Sequence, residues 1–142
     1  MRHAWRMTCT AIVLAAGEGA RMGPAVKQLA PLGDRPLLQH VLDALAATGL
    51  EEGVLVLGHE AGRVAAAVTT PAGVRVVVNE RYPDGQAGSL RVALDHAPET
   101  ARAAVVLLGD QPEVRPDAIL AVVEAHARRG APVCRAAYRG RP

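Results

Sequence analysis

The chain has 142 residues, half of them apolar, and a formal net charge of +2. That length suits one domain, 1–142, able to bury roughly two-thirds of the surface its unfolded chain exposes. No apolar stretch reaches the ~20 residues of a membrane span, which argues against a membrane role. The weak, scattered charge and three aromatic residues (Trp5, Tyr82 and Tyr138) offer no basic stripe or stacking platform for nucleic acid.

In chain order, residues 1–9 read as a flexible tail, with Met7 as an alternative start. The basic start followed by an apolar run superficially suggests an export signal. The run is short, however, and ends in a glycine loop rather than at a cleavage site, so a cytoplasmic location is expected. The first strand is expected at Thr10–Ala15. Leu37, Leu38, Val41, Leu42 and Leu45 then recur at helical spacing, with Asp34 as N-cap, Pro36 in the first turn and Gly49 as terminator.

Further strands are expected at Gly53–Leu57, Val74–Val78, Ala103–Leu108 and Pro132–Ala136. They are continuous and rich in Val and Leu, as parallel strands covered on both faces should be. Helices are expected over Glu60–Val68, from about Gly88 to His96, and from about Pro116 to Gly130, the last with Ile119, Val122, Val123 and His126 on one side. This alternation implies a three-layer, Rossmann-like α/β domain built on a mostly parallel sheet. Cys9 and Cys134 are far apart, with no ligand-spaced His, and read as free thiols.

Ligands of such sheets sit beyond the carboxyl ends of the strands. Three features fall there: the loop after the first strand, the Asn79–Ser89 connection, and Gly109–Pro112. The first of these loops holds Gly17, Gly19 and Gly23 with Arg21 and Lys27. Lys27 is the only lysine, beside fifteen arginines, which suggests a need there for a compact ammonium. Small residues admit backbone N–H groups to an anion and the cations neutralise it, so a polyphosphate is the expected ligand. A Walker A loop is absent, and the dinucleotide fingerprint fails at Met22.

The run L-A-A-G-x-G-x-R-M-G followed by Lys27 resembles the signature of nucleotidyltransferases that use a nucleoside triphosphate and release diphosphate. The resemblance continues through KQLAPLGDRPLLQHVLDAL, through Asn79, Tyr82, Gly85 and Ser89, and through LLGDQP at Leu107–Pro112. Together these are similar to the molybdenum cofactor cytidylyltransferases of the MobA-like NTP transferase family. The gap before Lys27 is one residue longer than in many members.

That resemblance implies a GT-A-like fold and transfer of a nucleoside monophosphate from an NTP, with CTP expected, to a phosphorylated pterin. A sugar 1-phosphate or polyol phosphate is the alternative acceptor. A non-catalytic nucleotide-binding or partner domain is the alternative class. Leu14, Ala15, Ala16, Gly17, Gly19, Arg21, Lys27, Asn79, Gly85 and Ser89 would line the nucleotide site, although Ser89 could instead cap a helix. Arg21 and Lys27 would be catalytic and Asp110 would hold Mg²⁺, since oxygen ligands plus substrate phosphates suit that ion. The five histidines read as structural or surface residues.

Beyond Tyr138 the family pattern continues into a Gly-His-Pro segment, further strands and helices, and a late aspartate expected to share the metal. The resemblance therefore implies a chain lacking the usual C-terminal portion, one that binds nucleotide weakly and transfers poorly.

Overall fold

In the computed structural model, which describes residues 8–18 and 26–137, the first apolar run becomes β1 (Cys9–Ala15), buried at every position. A small ribbon follows, β2 (Pro31–Leu32) and β3 (Arg35–Pro36), paired antiparallel. Then come α1 (Leu37–Ala47), β4 (Gly53–Leu57), α2 (Ala61–Ala67), β5 (Val74–Val78), α3 (Gln86–Asp95), β6 (Ala103–Leu108) and α4 (Pro116–Arg129).

The main sheet has four strands in the order β5-β4-β1-β6, and all its pairings are parallel. From β1 the chain steps outward through α1 to β4 and through α2 to β5. It then crosses back through α3 to β6, on the other side of β1. Right-handed crossovers in opposite directions put their helices on opposite faces. Accordingly Leu38, Val41, Leu42 and Leu45 of α1 and Val64 of α2 pack with Val13, Leu55 and Leu57 on one face. Ala93 of α3 packs with Ile12, Leu14, Val54 and Val56 on the other. Ile119 and Val123 add α4 to the first face.

The two layers are unequal. On the α3 face Val106 is 43% exposed, because the single helix there does not extend over β6. A groove of about 770 Å³ runs along that strand, with Val106, Val122, Val133 and Ala136 among its lining.

Strands β4, β5 and β6 occupy the ranges expected of them, and β1 begins one residue earlier. Three expectations are corrected. Pro132–Ala136 is irregular rather than a strand. β6 exchanges its ladder bonds with β1 on one side, and an extended run with no strand beside it forms no ladder. Asp34 lies in the turn between β2 and β3, after Gly33 at φ 66°, and does not cap α1. Pro36 is the N-cap, and the Leu37 N–H is satisfied by the carbonyl of Ala30 at 2.9 Å, so no side-chain cap is required there. The main sheet is parallel throughout, and the antiparallel β2–β3 ribbon forms a separate two-stranded sheet.

Two measurements check this core. Leu42 is fully buried in α1, so Leu42→Ala should lower the unfolding free energy in urea by about 2–5 kcal/mol. Cys9 is 7% exposed, and burial pushes its thiol pKa up, against a smaller opposing pull from a backbone hydrogen bond at Val105; Cys134 is half-buried. Native protein should therefore react with a thiol reagent at Cys134 and become reactive at Cys9 only in denaturant. Rapid native labelling of Cys9 would contradict the burial.

Candidate active site

The strand order reverses between β1 and β6, and the crevice beyond their carboxyl ends is where such sheets place ligands. The two strand ends are held close. The Gly109 N–H donates to the Leu14 carbonyl at 2.9 Å. A Cβ on Gly109 would lie 2.8 Å from the Ala15 Cβ, so a larger residue would push the ends apart.

Four consecutive carbonyls at the exit of β1 are engaged by protein donors. Leu14 O takes the Gly109 N–H, and Ala16 O takes the His59 N–H at 3.2 Å. Ala15 O and Gly17 O both accept from Nε2 of Gln28, each at 3.0 Å. With the carbonyls turned inward, the N–H groups of Gly17 and Glu18 meet no acceptor among the described residues. Both residues are exposed, and nothing lies within 4 Å of where a Gly17 Cβ would be. Backbone donors left open in this way form a cradle for an anion.

Lys27 opens a single turn of 3-10 helix, Lys27–Leu29, on the far side of that loop. Its Nζ reaches across to Oδ2 of Asp110 at 2.9 Å. Asp110 follows Gly109 just past β6, so the aspartate and the glycine loop share one edge of the sheet. The Lys27 and Asp110 side chains are 38% and 41% exposed. A pair this open contributes about 0–1 kcal/mol, so a ligand that binds both partners can part it. Among the described residues no group of three His, Cys, Asp or Glu gathers to hold a metal by itself. A divalent ion at Asp110 would draw its remaining oxygen ligands from phosphate and water, which is how Mg²⁺ is often held.

The connection after β5 reaches the same edge. Asn79 is buried, its N–H donates to Leu57 O at 2.7 Å, and its Oδ1 accepts from the Arg81 N–H at 3.0 Å. Asn79 Nδ2 donates to Ser89 Oγ at 3.0 Å. Ser89 lies within α3 and is buried, so it does not cap the helix; Gly85 occupies the N-cap. Gly85 is exposed and has φ 115°, a conformation that favours glycine. Asn79 and Ser89 thus brace the turn that presents Gly85. Gly19 and Arg21 lie outside the described residues.

Two participants were not legible as such in the sequence. Gln28 was visible only as part of the run following Lys27. His59 read as structural, and it is: its N–H holds Ala16 O, and its ring meets Tyr82 edge-on with centroids 5.9 Å apart. His40 and His96 likewise bond nearby carbonyls, of Leu32 and Val92.

The model of the MobA-like NTP transferase domain family matches residues 11–142. The bifunctional protein GlmU of Sorangium cellulosum is 37% identical over 127 residues, which cover 85% of this chain and 27% of that protein. The chain thus spans about a quarter of the length of the curated relatives it matches. Rv0371c from Mycobacterium tuberculosis superposes with a TM-score of 0.77 at 38% identity, over 85% of this chain and 61% of that one. The same protein is also solved as a complex with manganese. A nucleotidyl transferase from Methanothermobacter thermautotroptrophicus gives a TM-score of 0.72 at 30% identity, over 82% and 57% of the two chains. With its glycine loop, Lys27 and Asp110 gathered at one strand-end crevice, and with its sequence matched almost throughout, the chain belongs to the MobA-like NTP transferase domain family.

Proposed function

We propose that this chain carries the nucleotide half of a nucleotidyltransferase, which moves a nucleoside monophosphate from an NTP to a phosphate-bearing acceptor and releases diphosphate. The observation that carries the reading is the 2.9 Å approach of Lys27 to Asp110 beside the exposed Gly17 and Glu18, whose N–H groups meet no acceptor among the described residues. A cation, a carboxylate and backbone donors within one crevice are what a metal-bound triphosphate requires.

In the reaction, an acceptor phosphate oxygen attacks the α-phosphorus. The new P–O bond forms as the bond to diphosphate breaks, and negative charge spreads over the oxygens in flight. Catalysis of such a step is mostly positioning and charge stabilisation. The loop around Leu14–Gly17 would seat the nucleotide with its N–H groups on the phosphates. Lys27 would move from Asp110 to the phosphates, with Arg21 and Gly19 contributing from the same loop. Gly85, braced by Asn79 and Ser89, would form the opposite wall of the cleft. Asp110 would hold the divalent ion, which on binding neutralises phosphate charge. Mg²⁺ is the proposed ion; the manganese complex of Rv0371c supports a divalent metal in a relative of the same fold.

CTP as donor and a phosphorylated pterin as acceptor follow from the resemblance of the GDQP and Gly85–Ser89 segments to the molybdenum cofactor group. A sugar 1-phosphate or polyol phosphate acceptor is the second reading, which the run from the glycine loop through Lys27, Gln28 and PLLQHV suits equally. Assaying diphosphate release with CTP, UTP and GTP against molybdopterin and a hexose 1-phosphate separates the two.

Binding tests the site without knowledge of the acceptor. Calorimetric titration with CTP should show affinity that depends on Mg²⁺ and disappears with chelator. Asp110→Asn should abolish the metal dependence. Lys27→Ala should weaken binding by about tenfold or more and lower any diphosphate release by about 10²-fold. Lys27→Arg should restore little, because a planar fork does not replace a compact ammonium. Titrations that Lys27→Ala and Asp110→Asn leave unaltered would sink the proposal.

A further inference from the structure

The crevice depends on a residue that touches neither Lys27 nor Asp110 through its side chain. Gln28 is 5% exposed, and its single amide nitrogen donates to the carbonyls of both Ala15 and Gly17 at 3.0 Å. Its Oε1 is buried without a hydrogen-bond partner among the described residues. Turning the amide over would satisfy neither carbonyl and set oxygen against oxygen, so the orientation is fixed and leaves Oε1 without a partner among the described residues. Packing alone does not account for this choice. A Leu or Met would fill a core position without an orphaned oxygen.

The position of Gln28 supplies the rest of the argument. It is adjacent to Lys27 in the same 3-10 turn, which begins with the Leu29 N–H donating to Val26 O at 3.0 Å. A rigid turn that sends one side chain to the glycine loop and its neighbour to Asp110 fixes the distance between the loop and the lysine.

We infer that Gln28 is a positioning residue. It ties the Lys27 turn to the exit of β1 and holds the Ala15 and Gly17 carbonyls. Through the planar Gly17–Glu18 peptide it turns the Glu18 N–H away from itself and toward the open side of the loop, beside the Gly17 N–H, whose peptide His59 holds through the Ala16 carbonyl. This inference rests on the nucleotide-site reading given above and adds to it the device that preorganises the site. Preorganised donors gain their effect because they need no rearrangement when charge arrives.

Two variants test it in the whole chain. Gln28→Met keeps the bulk and removes both hydrogen bonds. Gln28→Glu keeps shape and polarity but offers no proton to the carbonyls at neutral pH. Amide hydrogen exchange by mass spectrometry and calorimetry with Mg²⁺ and CTP are measured on each. In both variants, exchange should rise at least about tenfold at the His59 N–H, which is held by the Ala16 carbonyl between the two that Gln28 clamps, while β4 and α1 keep their protection. Affinity for CTP with Mg²⁺ should fall about tenfold. Unchanged exchange at His59, or equal acceleration throughout the sheet, would overturn the inference and make Gln28 a packing residue. Loosening confined to the His59 amide in a protein whose wild type binds none of CTP, UTP, GTP or ATP would uphold the clamp and reject the nucleotide reading instead.

Discussion

The site depends on how closely the carboxyl ends of β1 and β6 approach one another. Gly109 sits against Ala15 with no room for a side chain, and its N–H is bonded to the carbonyl of Leu14. That contact brings a carboxylate at the end of one strand to the loop at the end of the other. It arises from topology: the chain reverses its direction across the sheet at β1, and a crevice opens where it does. Without the reversal, Asp110 and the Gly17 loop would belong to separate regions of the surface.

Rigidity and looseness are divided in a way that suits a ligand carrying its own metal. The backbone of the crevice is firmly held, by Gly109, Gln28 and His59 on four successive carbonyls. The charged groups are held lightly. Lys27 and Asp110 satisfy each other while both stay well exposed, so the pair adds little to stability and can part for a cation and a phosphate. A deeply buried pair would have tied these charges to the folded state at high cost to any ligand.

Much of the frame was legible in the sequence because its physics is local. Central strands are covered on both faces, so β1 and β4, buried at every position, stood out as apolar runs. The edge strands β5 and β6 stood out by their Val and Leu content, although Val76, Val78 and Val106 stay exposed. Gly49 and Gly130 marked helix ends because a left-handed turn there favours glycine. Lys27 stood out by composition, as a lone lysine among arginines. The misreadings all involve partners supplied from elsewhere. Pro132–Ala136 has strand character but no strand beside it, Asp34 has capping chemistry but sits in a ribbon turn, and the capping alternative for Ser89 fails because its hydroxyl answers to Asn79. Gln28 was invisible for the same reason. A glutamine next to a lysine carries no sign that both carbonyls it holds lie more than ten residues earlier.

The most direct test is a crystal structure of the chain with Mg²⁺ and a non-hydrolysable CTP analogue. The account predicts phosphate oxygens within hydrogen-bonding distance of the Gly17 N–H and of Lys27 Nζ, the ion on Asp110, and the lysine and aspartate drawn apart. A triphosphate seated elsewhere, with Lys27 still joined to Asp110, would contradict it.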